Sequence, residues 1–138
     1  MICYAVIDTN VLVSALLSSN ETAATVQVFE KLITGNIIPI YSAEIMKEYK
    51  EVLNRSKFRF TTETVDYLLS TIDKYGILVE PASLDIVLPD MKDLPFYEVV
   101  MEKQDDNAYL VTGNLKHFPK KPFIVTARQM IDILNGNN

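Results

Sequence analysis

A single cysteine and a single histidine in 138 residues leave few materials for several kinds of site. Cys3 has no partner for a disulfide, and inside an apolar run it reads as a small core residue in a reducing compartment. His117, in Lys116-His117-Phe118-Pro119, reads as a loop or substrate-contact residue rather than a general base. Apolar runs break within about ten residues, too short to cross a bilayer. No charged–apolar–small leader opens the chain, so export is not expected. There is no P-loop, no Gly-rich dinucleotide turn and no evident nucleophile–base pair. Internal repeats, low-complexity tracts and interdomain linkers are also missing. These absences favour a cytoplasmic protein of one domain, residues 1–138, with no membrane partner.

Basic charge is in deficit as well, with 13 Lys and Arg against 18 Asp and Glu and a net charge of −5. That balance argues against a simple phosphate-neutralising surface. The distribution softens it. Five basic residues fall between Lys47 and Arg59, and four more between Lys116 and Arg128. Two basic patches on an acidic protein suit a polyanion that approaches a carboxylate-lined site through metal ions. For any one of these residues a solvated helix face is the simpler reading.

What is present is an alternation of short apolar strands and amphipathic helices. Ile2–Ile7 reads as a buried strand that stops at Asp8-Thr9-Asn10 before a helix from Val11 to Leu17. A second helix over 21–34 is closed by Gly35-Asn36. Ile37–Tyr41 is the next strand, and Ser42 caps a helix to Leu53. Thr61 can cap a helix to Tyr75, Ile77–Val79 is a third strand, and 81–89 is irregular. Asp93 followed by Leu94-Pro95 looks like a helix start. Strands at Ala108–Thr112 and Phe123–Val125 follow, and Thr126 caps a last helix to Leu134, leaving 135–138 as a frayed tail. This order predicts an α/β sandwich around a mostly parallel sheet of four to five strands.

Carboxylates recur where such a sheet places chemistry. Asp8 ends the first strand, at the edge where ligands collect in open parallel sheets. It is either a helix cap or a ligand for something positive. Glu48 lies on the helix after the second strand, one turn beyond Glu44. Asp93 opens the helix before the fourth strand, three residues after Asp90, and that strand ends in Thr112-Gly113-Asn114. Capping, solvation and a tight turn are the ordinary alternatives for Asp93, Glu48 and Thr112-Gly113-Asn114 respectively. Carboxylates converging from separate elements repel one another unless a cation neutralises them. Oxygen ligands without histidine or thiolate neighbours suit Mg²⁺ or Mn²⁺.

Taken together, these segments resemble the PIN domain family, metal-dependent ribonucleases common as VapC-like toxins of toxin–antitoxin pairs. Tyr4–Val13, with Asp8, looks like the family's first motif; Ser42–Leu53, with Glu48, is similar to its second. Asp90–Phe96, with Asp93, looks like the third, and Tyr109–Asn114 resembles the fourth, usually Val-Thr-Gly-Asp. The resemblance implies a three-layer α/β/α fold and hydrolysis of single-stranded RNA. Asp8, Glu48 and Asp93 would hold Mg²⁺ or Mn²⁺, with Thr9 and Asn10 orienting the first carboxylate and Thr112 and Asn114 completing the rim. Lys116, Lys120 and Lys121 would touch phosphate. It also implies a homodimer and, for a toxin, an antitoxin segment laid across the site. Asn114 departs from the pattern: it keeps an oxygen but removes a negative charge, for which Asp90 could compensate. A PIN-fold module that binds RNA or an antitoxin without cutting is therefore the alternative, and a metal-dependent phosphatase a more distant one.

Overall fold

The computed structural model describes residues 1–136. Strand β1, Cys3–Ile7, is buried except at the half-buried Tyr4, with Ala5, Val6 and Ile7 fully enclosed. Continuous apolar character is what a parallel strand needs when both of its faces are covered. Helices α1, Thr9–Leu17, and α2, Ala24–Thr34, lead to β2, Ile37–Tyr41. Helices α3, Ala43–Leu53, and α4, Thr62–Tyr75, lead to the short β3, Ile77–Leu78. Helix α5, Leu94–Glu102, precedes β4, Tyr109–Val111, and β5, Ile124–Val125, precedes α6, Ala127–Leu134.

All strand pairs are parallel, in the order β3-β2-β1-β4-β5. The chain steps outward from β1 to β3, then returns to the far side of β1 to add β4 and β5. Right-handed crossovers then place α5 on the face opposite α2 and α4, with α3 still reaching it. The packing agrees: α2 contacts β2, α4 and α6, while α5 lies across β1, β2 and β4. Among the described residues the result is an α/β sandwich of five parallel strands and six α-helices. The reversal leaves a crevice at the carboxyl ends of β1 and β4.

Local chemistry sets the boundaries. Ser42 and Thr61 accept from the N–H groups of Ile45 and Thr64, and Thr126 forms a capping box with Gln129. Gly35 closes α2 at φ +85°, a backbone state that glycine adopts without strain. At Gly76 the reason is proximity instead: a Cβ there would lie 2.8 Å from the Pro39 carbonyl oxygen. Helix α1 starts at Thr9, two residues before the expected Val11, so Thr9 and Asn10 belong to its first turn. Asn135 and Gly136 close α6 through N–H bonds to the Ile131 and Ile133 carbonyls. The remainder of the expected frayed tail, 137–138, lies outside the described residues.

The irregular stretch after β3 is tied down from α5, where Glu102 and Glu98 accept from the N–H groups of Ala82 and Leu84. Cys3 is buried, as its apolar surroundings in the sequence suggest. Among the described residues no helix is long and apolar enough to cross a membrane.

Candidate active site

Asp8 extends β1 by one residue, its N–H donating to the Val111 carbonyl at 2.9 Å. It occupies the N-cap position of α1, yet its carboxylate makes no capping bond. The side chain instead faces β4 across the crevice. The Thr112 hydroxyl donates to its Oδ2 at 2.7 Å, and Asn10 Nδ2 approaches the same oxygen at 3.3 Å. Thr112 is fully buried, and its oxygen in turn accepts from the N–H of Asn114 at 3.0 Å. The Gly113 N–H donates to Asn10 Oδ1 at 3.1 Å, and a Cβ at Gly113 would press on that same oxygen at 3.3 Å. The turn after β4 and the first turn of α1 thus hold Asp8 between them.

Glu48 arrives from α3. Its carboxylate accepts from the Thr9 hydroxyl, so Thr9 positions the second acid rather than its sequence neighbour Asp8. The helix itself is pinned by the next residue. Tyr49, wholly buried, donates from its hydroxyl to the carbonyl oxygen of Ile7, and its ring packs 6.3 Å from that of Phe96 on α5. One tyrosine therefore joins the end of β1, α3 and α5. Nothing in the sequence distinguishes it from any other apolar helix position.

Asp93 does not cap α5: its backbone is helical and its side chain makes no bond to the helix N-terminus. Asp90 does the capping instead, accepting from the Lys92 N–H at 3.0 Å to hold the single 3₁₀ turn 91–93. Released from that task, Asp93 pairs through Oδ2 with His117 Nδ1 at 2.9 Å. His117 sits in a 3₁₀ turn, 115–117, just beyond β4. One ligand atom from each of Asp90, Asp93 and His117 lies within 4.8 Å of the others, a grouping to which Asp8 and Glu48 do not belong. The sole histidine thus joins Asp90 and Asp93, a placement that its loop-like sequence surroundings do not reveal. Asn114 is exposed; its backbone N–H donates to Thr112 and its carbonyl accepts from the His117 N–H at 3.0 Å, while its side chain makes no hydrogen bond among the described residues.

Burial pushes the Asp8 carboxyl up to about 6; the Thr112 hydrogen bond opposes this, and the charges of Asp93 and Glu48 add to it. Asp93 is also raised, chiefly by burial, against the lowering effect of His117. Tyr49 is driven far up by burial and by the two nearby carboxylates, which keeps it a protonated donor. Among the described residues no lysine or arginine forms an ion pair with Asp8 or Glu48. A buried carboxylate repelled by two half-buried ones, without a protein cation, is chemically suited to a bound divalent ion. Lys116, Lys120 and Lys121 are exposed and line a cleft with Phe118 and Gln129 beside β5.

A PIN domain family model matches residues 4–116, from β1 through the turn that follows β4. Residues 117–136, carrying His117, β5 and α6, lie beyond the matched segment. No curated protein and no solved structure gives a significant match. The carboxylate at the end of β1, the reversed sheet order and the family match converge: the chain belongs to the PIN domain family, whose members are generally metal-dependent nucleases.

Proposed function

We propose that the protein is an Mg²⁺- or Mn²⁺-dependent endoribonuclease that hydrolyses single-stranded RNA. The observation that carries this reading is the buried Asp8 carboxyl at the β1/β4 crevice, raised by burial and further by the charges of Asp93 and Glu48. Bound there, a divalent ion would lower the pKa of an attacking water and stabilise charge developing on the phosphate. Thr112 and Asn10 fix the lone pairs of Asp8, and Thr9 fixes Glu48, so the carboxylates need little reorganisation to serve as ligands. The lysines beside β5 offer contacts to a flanking phosphate.

The role of toxin in a toxin–antitoxin pair, a homodimeric state and an antitoxin segment over the site extend this proposal on the strength of the likeness to VapC-like proteins. A second reading, a PIN-fold module that binds RNA or such a partner without cutting, is favoured by Asn114 where the family has an acid. The discriminating assay offers single-stranded RNA, single-stranded DNA and a small phosphomonoester with Mn²⁺, Mg²⁺ or a chelator. RNA cleavage that disappears in chelator is expected. Turnover of the phosphomonoester alone contradicts the proposal, and RNA binding without cleavage supports the module.

A further inference from the structure

Asn114 leaves the centre one carboxylate short, and the structure brings a different donor to the same turn. His117 lies three residues further on, in the 3₁₀ turn that follows β4, with Nδ1 2.9 Å from Asp93 Oδ2. Asp90 uses Oδ1 to accept from Lys92, and among the described residues its other oxygen takes no hydrogen bond. From these positions we infer that Asp90, Asp93 and His117 form a mixed oxygen–nitrogen cation position, which makes the centre select Mn²⁺ or a later transition ion over Mg²⁺. The inference rests on the nuclease reading above and names the residue that sets its metal preference.

The geometry admits one ion. Ligand atoms held about 2.1 Å from a common ion stand at most about 4.2 Å apart. The three donors lie within 4.8 Å of one another, so side-chain adjustment alone would bring them to a common ion. In the metal-free protein a proton joins Nδ1 to Asp93. For Nδ1 to ligate, the neutral ring must carry its proton on Nε2 instead, and an imidazole that is 39% exposed can exchange tautomers through solvent. Asp93, only 15% exposed, also carries the charge that is felt at Asp8, which couples this position to the end of β1. Imidazole nitrogen adds affinity for transition ions and little for Mg²⁺, which prefers oxygen donors and retains its waters.

The test needs no activity measurement. His117 is the only histidine in the chain, so an imidazole nitrogen signal from untagged protein has one source. Pulsed electron paramagnetic resonance of the Mn²⁺-loaded wild type should show nitrogen-14 coupling, absent from His117→Gln. Calorimetric titration should show Mn²⁺ affinity falling about tenfold or more in His117→Gln and in Asp90→Asn, with Mg²⁺ affinity changing much less. Circular dichroism melts of both variants, matched to wild type, keep misfolding out of the comparison. Mn²⁺ bound without nitrogen coupling overturns the inference and leaves the nuclease reading standing. No divalent-ion binding at all overturns both.

Discussion

The Tyr49 hydroxyl donates to the Ile7 carbonyl oxygen, tying the middle of α3 to the last residue of β1. Glu48 and Asp8, the residues next to each partner, are brought to one site by that bond. It is made 42 residues apart in sequence, inside a wholly buried environment. Position of the second acid therefore depends on a side chain that touches no ligand.

Tyr49→Phe keeps the packing against Phe96 and leaves the Ile7 carbonyl without its donor. Urea unfolding should show a loss of about 1–3 kcal/mol. Mn²⁺ affinity should fall with it, because α3 no longer has its anchor. Unchanged stability would mean that the bond contributes nothing to the placement of Glu48.

Asp8 links stability to pH. Its carboxyl rises from the ordinary 3.8 of a solvated aspartate to about 6 in the fold. Between those values the folded chain holds a proton that the unfolded chain releases, so stability falls as pH rises through this window. Above about pH 6 the full penalty, about 3 kcal/mol, is present in metal-free protein. Asp8→Asn removes the buried charge and keeps the shape. In chelator at pH 7.5 the variant should be more stable than wild type by about 1–3 kcal/mol, and near pH 4 the difference should vanish. A variant less stable at both pH values contradicts this assignment of strain to the Asp8 charge.

Thr112→Val deletes the hydroxyl that donates to Asp8 and accepts from Asn114. That hydrogen bond holds the Asp8 carboxyl down, so its removal should push the carboxyl further up. Protons then compete with Mn²⁺ over a wider range, and the pH midpoint of Mn²⁺ binding should move upward. Stability at pH 7.5 should drop by about 1–3 kcal/mol, since a buried carboxylate and a backbone N–H both lose a partner. An unmoved binding midpoint would show that Thr112 is a packing residue only.

Thr126→Ala provides a contrast far from the crevice in its role. Loss of the capping box should cost about 1 kcal/mol in thermal unfolding and leave Mn²⁺ affinity unchanged. A parallel loss of affinity would indicate that α6 supports the site.

The sheet was legible in the sequence because its signals are local. Apolar runs such as Ala5-Val6-Ile7, caps at Ser42, Thr61 and Thr126, and closure at Gly35 each act within a few residues. Asp8 at a strand end was legible for the same reason. What escaped is carried by distant pairs. Thr9 reaches Glu48 across 39 positions, and Asp93 reaches His117 across 24. At Asp93 the local signal even misled, since an aspartate before Leu94-Pro95 looks like a cap. Asp90, three residues earlier, satisfies the adjoining turn, and that leaves Asp93 for the histidine. Tyr49 gave no signal because a buried tyrosine and a buried phenylalanine fit the same helical pattern.

The most direct test of the carboxylate centre is the single-turnover rate of single-stranded RNA cleavage with saturating Mn²⁺. It compares wild type with Asp8→Asn, Glu48→Gln and Asp93→Asn. Each variant is expected to be slower by about 100-fold or more, Asp8→Asn included although it folds more stably. Cleavage that persists at the wild-type rate in all three would contradict the account.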